Sequence, residues 1–251
     1  MRYCLFCDKR ANTREHILPD WMLDHFRAMK RDVRLTFDLE GQHRHGIKIT
    51  PGIRVKRVCS DCNSKWMSNL ESSSKPLLGS MLHDVTTPID TLQQTTLARW
   101  ALKTAMVMES IGNRVHPFHT QKEREELRTS FKIPKNTYIW LARYAGANDI
   151  AYIGMHLWND KPDDPKTIHC YVNTVAIGYV ALQVFSAHVP NGHPRINVAP
   201  FPAPWGKLLV KIWPTANSSL VWPPEFTFSD TGFMALGDLV ERFKPIDATV
   251  A

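Results

Sequence analysis

Length, composition and charge describe an ordinary globular chain and exclude several classes of protein. The chain has 251 residues, of which 43% are hydrophobic and 22% charged, so it is long enough for one large domain or two smaller ones and is not disordered, collagen-like or coiled-coil. No run of 18 apolar residues is present, and cysteines and an aspartate interrupt the first eight residues before a signal-peptide core forms. The sequence therefore predicts a cytoplasmic protein without a membrane partner.

The positive charge is concentrated near the N-terminus. The formal net charge is +7 and the isoelectric point is about 9.2. Residues 1–75 carry 15 basic and 9 acidic side chains, whereas residues 76–251 carry 16 and 15. Charge alone describes association rather than function, but this asymmetry favours an N-terminal surface for a polyanion such as nucleic acid.

Four of the five cysteines form two Cys-x-x-Cys pairs, Cys4 with Cys7 and Cys59 with Cys62. In a chain without a signal peptide, this spacing predicts one structural Zn²⁺ held by four thiolates, because a reducing compartment disfavours disulfides. Two redox-active pairs of the thioredoxin kind are the alternative. Such pairs require a βαβ context, which the surrounding sequence does not indicate.

The predicted elements of the N-terminal region are short and lie mainly between the two cysteine pairs. A helix is predicted from Pro19 to about Lys30, because proline suits the first helical position and apolar residues recur at spacings of four and three. Alternating residues predict strands over 33–39 and 47–58, joined as a hairpin. A further helix is predicted to begin at Asn63, within a metal-stapled module of residues 1–75.

Beyond this module the sequence predicts an α+β domain with an antiparallel sheet. Serines and prolines predict a linker over 76–90, followed by a domain over 91–251. The first helix of this domain spans about twenty residues and stops at Gly112. Its predicted apolar stripe consists of Leu97, Trp100, Ala101, Thr104, Met108 and Ile111. The other predicted elements are a helix at 120–130, β-rich segments at 137–144, 149–158, 167–185 and 206–213, irregular connections at 190–204 and around Trp222, and a closing helix at 230–243.

A set of motifs resembles the HNH endonuclease family in its zinc-stapled ββα-metal form. Residues 13–19 read Thr-Arg-Glu-His-Ile-Leu-Pro, and Asn63 directly follows the last cysteine of the second pair. With both cysteine pairs, this arrangement is similar to phage junction-resolving nucleases, in which an acidic-His pair and an Asn after the last cysteine form the site. The resemblance covers residues 1–75 and implies a ββα-metal fold for them.

The resemblance implies a role for three residues, and elementary chemistry is consistent with each role. His16 is the general base, since an imidazole that titrates near neutral pH can be unprotonated and still basic enough to accept a proton from water. Glu15 and Asn63 offer one charged and one neutral oxygen to a catalytic Mg²⁺ or Mn²⁺. Adjacent residues of a regular strand face opposite ways, so Glu15 and His16 can serve one phosphate only at a strand end or a distortion.

Each of these residues also has a structural explanation. Asn63 is a preferred residue at a helix N-cap, His16 on its own is typical of a structural or surface histidine, and Glu15 is compatible with a solvated charge. The basic residues of the module either keep it soluble or contact phosphates, and on a strand Arg54 and Lys56 share one face. The candidate nucleic-acid contacts are Arg14, Arg54, Lys56, Arg57 and Lys65.

Three features depart from the family's pattern. Asn63 stands where many members have histidine, a variant compatible with Mg²⁺ and less favourable to softer metals. The middle asparagine that commonly supports the base falls near Arg54, so the residue that orients His16 is open. The 51 residues between Cys7 and Cys59 exceed what a minimal module needs and leave room for substrate contacts or a partner surface.

The leading hypothesis is a Mg²⁺-dependent endonuclease that hydrolyses DNA, with 5′-phosphate and 3′-hydroxyl ends implied by the resemblance. RNA stays open as a substrate, since no residue of the site is assigned to the 2′-hydroxyl. The C-terminal domain is assigned to targeting, oligomerisation or regulation, through a second copy or a protein partner. Two alternatives stay open: a catalytically silent zinc-stabilised nucleic-acid-binding protein, and a phage-defence effector nuclease whose C-terminal domain senses a ligand.

Overall fold

The computed structural model shows a mixed α+β architecture. It describes residues 2–28, 35–38, 44–47, 54–110, 117–147, 150–158, 167–190, 205–215 and 218–233. Within these residues, helices accompany one six-stranded sheet and three two-stranded sheets, so the predicted α+β class is confirmed. No helix of the described part is long and apolar enough to cross a membrane.

The first two-stranded sheet joins segments from both sides of the predicted insert. Strand β1 (Thr13–His16) pairs antiparallel with β4 (Arg54–Val58), and the register is irregular near the start of β1. Helix α1 (Asp20–Ala28) begins four residues after His16. His16 is therefore the last residue of its strand, the position at which the two neighbouring side chains of the acidic-His pair are least constrained by a regular pleat.

The predicted strand over 47–58 overlaps two described strands with different partners. Strand β2 (Leu35–Asp38) pairs with β3 (Arg44–Ile47), whereas β4 pairs with β1. The prediction that 47–58 forms a hairpin with 33–39 is therefore wrong for 54–58, which pair with β1 instead. Residues 48–53 lie outside the described ranges.

A continuous helical segment follows the second cysteine pair. It consists of α2 (Ser60–Cys62), a π-helical turn (Asn63–Met67) and α3 (Ser68–Leu82). The N-cap is Cys59, whose backbone is extended. The prediction that this helix begins at Asn63 is therefore wrong, because Asn63 already lies inside it.

Helix α3 extends into the segment predicted as a linker. Pro76 is an exposed residue inside α3, and β5 (Thr87–Ile89) pairs with β11 (Leu220–Trp222), so much of 76–90 has regular structure. Burial of one side of α3 outweighs the weak helix propensity of its serines and proline. The buried residues are Leu70, Ser74, Leu77, Leu78, Met81 and Leu82. The domain boundary itself stays a prediction.

Two helices of the C-terminal region begin with a capping box, in which the N-cap side chain and the third helical residue satisfy each other's backbone N–H groups. Asp90 and Gln93 cap α4 (Thr91–Glu109), and Thr120 and Glu123 cap α5 (Gln121–Ser130). The predicted stripe of α4 is confirmed as buried over its described members. These are Leu97, Trp100, Ala101, Thr104 and Met108.

The predicted antiparallel sheet is confirmed. Its strand order is β10 (Val210–Trp213), β6 (Thr137–Tyr144), β9 (Val180–His188), β8 (His169–Ile177) and β7 (Ile150–Trp158). The short strand β12 (Thr227–Phe228) also pairs with β6, in the parallel direction. Most described residues of β6, β8 and β9 are buried, because the sheet packs apolar side chains on both faces. The short helix α6 (Trp205–Leu208) precedes β10.

One apolar core connects the cysteine-containing region with the helices and the sheet. Phe6, Met22, Leu78 and Trp100 belong to a single cluster of buried side chains. Arg128 of α5 donates from Nε to the backbone oxygen of Phe6 at 2.9 Å. The first cysteine pair is therefore packed directly against the C-terminal region.

Some predictions concern residues outside the described ranges. They are the end of the first helix near Lys30, the last stripe residue Ile111 with the stop at Gly112, the connection over 191–204, and the closing helix beyond residue 233.

Candidate functional site

The four paired cysteines converge on one point. All four are buried, and their sulfur atoms lie within 4.8 Å of one another. The Cys7 sulfur is 3.6 Å from that of Cys59 and 3.7 Å from that of Cys62. A tetrahedral zinc with Zn–S bonds of about 2.3 Å places its sulfurs about 3.8 Å apart, whereas a disulfide requires about 2.05 Å. The cluster can therefore hold a metal ion, consistent with structural zinc, and is not two disulfides.

Local backbone structure positions both cysteine pairs. Cys4 donates its backbone N–H to the oxygen of Lys9 at 2.8 Å, which closes a tight turn around the first pair. Cys59 and Cys62 lie at the start of a helix, where the turn geometry places their side chains close together. A backbone bond of 2.8 Å from Leu5 to Arg57 then connects the two pairs.

The thiols have charge properties that favour a bound cation. The thiol of Cys62 donates toward Cys4 and lowers the pKa of Cys4 to about 5, while this same contact raises the pKa of Cys62 well above its usual range. Burial raises the pKa of Cys7 to about 11. Four thiols this close together cannot all be deprotonated without a bound cation, because the thiolates would repel one another. A divalent cation offsets this negative charge.

His16 lies on an exposed and basic face of the β1–β4 sheet. Arg54 is its cross-strand partner, so the two side chains share a face. Arg14, two residues before His16, and Lys56, two residues after Arg54, are both exposed. The predicted sharing of one face by Arg54 and Lys56 agrees with this alternating exposure. We call these four residues, Arg14, His16, Arg54 and Lys56, the basic face.

Two charged side chains contact the same nitrogen of His16. Arg54 Nε lies 2.5 Å from His16 Nε2, and Asp20 Oδ1 lies 3.1 Å from it. Arg54 donates to this nitrogen when the imidazole is neutral, whereas Asp20 accepts from it when the imidazole is protonated. Arg54 therefore has a hydrogen-bonding role with neutral His16, and Asp20 has one with protonated His16. The sequence indicated Arg54 only as a phosphate contact. It did not indicate Asp20, which lies four residues after His16 and is the first residue of α1.

Glu15 lies on the opposite side of β1 from His16, in a buried ionic environment. Its side chain is 5% exposed, and burial raises its pKa to about 7, with Lys103 acting in the lowering direction and Glu71 in the raising direction. Lys103 is itself buried and bonds to Glu71 at 2.9 Å. The sequence did not indicate either neighbour, because Lys103 belongs to α4, which was assigned to a different domain.

Asn63 is not the N-cap of its helical segment, since Cys59 occupies that position. Its backbone is helical, with φ −63° and ψ −53°, and it is the first residue of the π-helical turn. Its Nδ2 lies 3.5 Å from Oγ1 of Thr13, which shares a face of β1 with Glu15. The structure therefore brings Asn63 to the Glu15 side of β1, with His16 on the other side. Single π-helical turns occur often at functional sites because they displace the side chains that follow.

Two of the predicted nucleic-acid contacts are placed differently from the basic face. Arg57 is half-buried, and burial lowers its pKa, with Arg124 and Arg2 adding to this effect. Lys65 is exposed and pairs with Asp61 at 3.2 Å. Arg57 is thus directed toward the interior, and Lys65 is partly neutralised by its neighbour.

A second cluster of titratable side chains, which the sequence did not indicate, lies where α4 ends. Glu109 Oε2 is 2.7 Å from Nδ1 of His119 and 3.4 Å from a terminal nitrogen of Arg124. Burial acts to raise the pKa of Glu109, but His119 and Arg124 lower it to about 2. His188 of the sheet pairs with Glu123 of α5 at 2.8 Å. These pairs connect α4, α5 and the sheet through polar contacts.

Comparison with known proteins identifies no relative. No protein-family model, no curated protein and no solved structure matches the chain. The functional argument therefore depends on the residues and their arrangement.

Proposed function

We propose that the chain is a metal-dependent endonuclease of the HNH type, with a structural Zn²⁺ on Cys4, Cys7, Cys59 and Cys62. The observation that carries the proposal is the position of His16 at the end of β1, on the basic face and beside Arg54 and Asp20. A titratable base among arginine and lysine side chains is suited to a phosphodiester, because the cations bind the phosphate next to the group that accepts the proton.

The proposed chemistry assigns a task to each residue. His16 accepts a proton from the attacking water at Nε2 after Arg54 transfers its N–H bond from this nitrogen to a phosphate oxygen, and Asp20 stabilises the imidazolium that forms. The P–O3′ bond breaks as the water oxygen bonds to phosphorus, and a proton from solvent completes the 3′-hydroxyl. Glu15 and Asn63 provide carboxylate and amide oxygens, which are the donor types that Mg²⁺ and Mn²⁺ prefer. When bound, this ion neutralises charge on the phosphoryl oxygens. Glu15 and Asn63 lie on the side of β1 opposite to His16, and β1 ends at His16, so the proposal requires the cation and His16 to meet the phosphate beyond the end of this strand.

Removal of the base tests the catalytic part of the proposal. His16→Ala is expected to lower cleavage of plasmid DNA by about 10² to 10⁴ with zinc content and DNA affinity retained, because general base catalysis contributes that much. His188→Ala is the matched control, since both histidines are partly exposed and pair with a carboxylate, at 3.1 Å for His16 and 2.8 Å for His188. Equal activity of the two variants would contradict the assignment of His16.

Asn63 gives a second test, since it is not the N-cap of its helical segment. Asn63→Asp keeps an oxygen ligand near the helix start, where a carboxylate is favourable, whereas Asn63→Ala removes the oxygen. We expect the aspartate variant to cleave and the alanine variant to require more Mg²⁺ or to be inactive. The neighbouring Ser64→Ala loses only a hydrogen bond of 2.8 Å to the Ser60 backbone and should cleave normally.

The nucleic-acid surface is tested by salt dependence. The double variant Arg14→Ala, Lys56→Ala is expected to bind DNA more weakly across sequences and to reduce the salt slope by about one to two units, one for each lost phosphate contact. The control is Lys207→Ala, Lys211→Ala, which removes two exposed lysines of the C-terminal region. An equal loss from the control pair would place DNA on the C-terminal region instead.

One observation favours a catalytically silent zinc-stabilised nucleic-acid-binding protein as the second candidate. Glu15 is buried near Lys103 and lies across β1 from His16. In that case the basic face binds nucleic acid and Glu15 is structural. This alternative is favoured if zinc-loaded protein cuts no single- or double-stranded DNA or RNA with Mg²⁺ or Mn²⁺. RNA is included in the assay because no residue of the site is assigned to the 2′-hydroxyl that distinguishes ribose from deoxyribose.

A further inference from the structure

A cleft of about 500 Å³ lies between the first turn of α1 and the C-terminal half of α3. Trp21 contributes an indole ring to its wall, and Lys75 and Gly79 of α3 line it beside the hydroxyl of Ser80 and the exposed His83. The cleft is mixed in character, since an aromatic ring lies among cationic and hydroxyl groups. This composition suits a ligand that has both a flat ring and a phosphate.

Trp21 has the properties of a stacking residue. It is half-buried and packs against the core, which holds the ring in place. Lys75 Nζ lies 5.5 Å from the centre of this ring, and the indole Nε1 of Trp21 is buried without a hydrogen-bond partner among the described residues. Because the Lys75 side chain is flexible, its ammonium group can leave the Trp21 ring and bind a phosphate oxygen. The face of the ring is then available for stacking with a base.

Gly79 lies at an open part of this cleft. Glycine inside a helix costs about 0.5 to 1 kcal/mol relative to alanine. A Cβ placed on Gly79 meets no atom within 4 Å. The space over this residue is therefore open, and a long side chain at position 79 would enter the cleft.

Helix α1 connects the cleft with the proposed catalytic residue. Asp20 contacts His16 at 3.1 Å, and Trp21, which lines the cleft, is the next residue of the chain, about 3.8 Å away between Cα atoms. We therefore expect a strand whose phosphate lies at His16 to extend toward the cleft. Stacking on a side chain requires a base that is not paired or stacked in a duplex.

We propose that this cleft binds an unpaired nucleobase next to the scissile phosphate, stacked on Trp21 with an adjoining phosphate on Lys75. The inference rests on the proposed function and narrows it to nucleic acids with an unpaired nucleotide at the cleavage point. Continuous duplex makes only the contacts of the basic face.

The experiment measures binding without cleavage, in the His16→Ala background of the zinc-loaded full chain. Fluorescence anisotropy gives the affinity for a labelled 12-nucleotide single strand and for a blunt duplex of 12 base pairs. Gly79→Met fills the cleft, and Ser73→Met adds the same side chain at an exposed position of α3 as the control. We expect Gly79→Met to weaken single-strand binding about 5- to 150-fold, the loss of one stacked base, with duplex binding unchanged. Ser73→Met should bind both as the parent does.

Substitutions of Trp21 test the stacking contact separately, and the combined outcomes distinguish failure of the cleft proposal from failure of the endonuclease proposal. Trp21→Phe retains a flat ring and should lose less single-strand affinity than Trp21→Leu. Unchanged single-strand affinity in Gly79→Met, or an equal loss for duplex, would overturn the cleft proposal while the basic face could still bind. If neither Gly79→Met nor the Arg14 and Lys56 double variant affects binding, and the wild type cuts nothing, the proposed function fails as well.

Discussion

Replacing Cys59 with alanine is expected to release the metal ion and to unfold the region around the four cysteines. The apparent free energy of binding of a structural zinc is about 10 to 16 kcal/mol at neutral pH, which is comparable to the whole stability of a typical domain. The buried Cys4 and Cys7 would retain thiols without a shared cation. Elemental analysis should find about one zinc in each wild-type chain and little in the variant, and the thermal melting curve should show an early transition.

The packing of the first cysteine pair determines how far this effect extends. Phe6 lies in the same core as Trp100 of α4 and is bonded to Arg128 of α5, so the C-terminal region should melt at a lower temperature as well. Cys170→Ala is the matched control, because Cys170 is a buried cysteine outside the four-cysteine cluster. A zinc-free protein with the wild-type melting curve would contradict the role of the cluster as a structural staple.

Replacing Glu15 with glutamine is expected to stabilise the zinc-loaded protein in the absence of Mg²⁺ and to lower cleavage strongly. Burial raises the pKa of Glu15 from 4.5 to about 7, so the folded state binds this proton more tightly than the unfolded state does. The corresponding stability is present below about pH 4.5 and is lost as the pH rises through 7. At pH 8 the buried carboxylate costs about 3 kcal/mol of folding free energy, which the neutral amide avoids.

Stability and activity are measured together to test the role of Glu15. At pH 8 and without Mg²⁺, Glu15→Gln should melt roughly 5 to 10 °C above the wild type, and this difference should vanish near pH 4. Cleavage should fall by about 10² or more, because the only charged ligand of the proposed catalytic ion is removed. Glu225→Gln, at an exposed position, is the control. A variant that is less stable than the wild type at pH 8 would show that the carboxylate serves the fold.

The sequence indicated the features that depend on local spacing. The Cys-x-x-Cys pairs predicted a four-cysteine cluster, because two residues are the separation at which a tight turn or a helix start places two sulfurs on one ion. The apolar stripe of α4 and the strands of the sheet were also predictable, since the helical period of 3.6 and runs of β-branched and aromatic residues are read directly from neighbouring residues. The end of β1 at His16 agrees with another local signal, the helix start predicted at Pro19.

Several features of the candidate site were decided only by tertiary structure, because their causes lie far apart in the chain. Helix α3 continues through Pro76 since the core buries one of its sides, and Asn63 lies inside the helix since Cys59 provides the cap. The partners of His16 and Glu15 follow the same rule. Strand pairing brings Arg54 to His16, and the packing of α4 brings Lys103 near Glu15, where low solvent exposure shifts the carboxyl pKa. The sequence alone thus determined which groups are chemically suited to a metal and a phosphate, whereas long-range packing decided which of them face solvent, which are buried and which neighbour sets their charge.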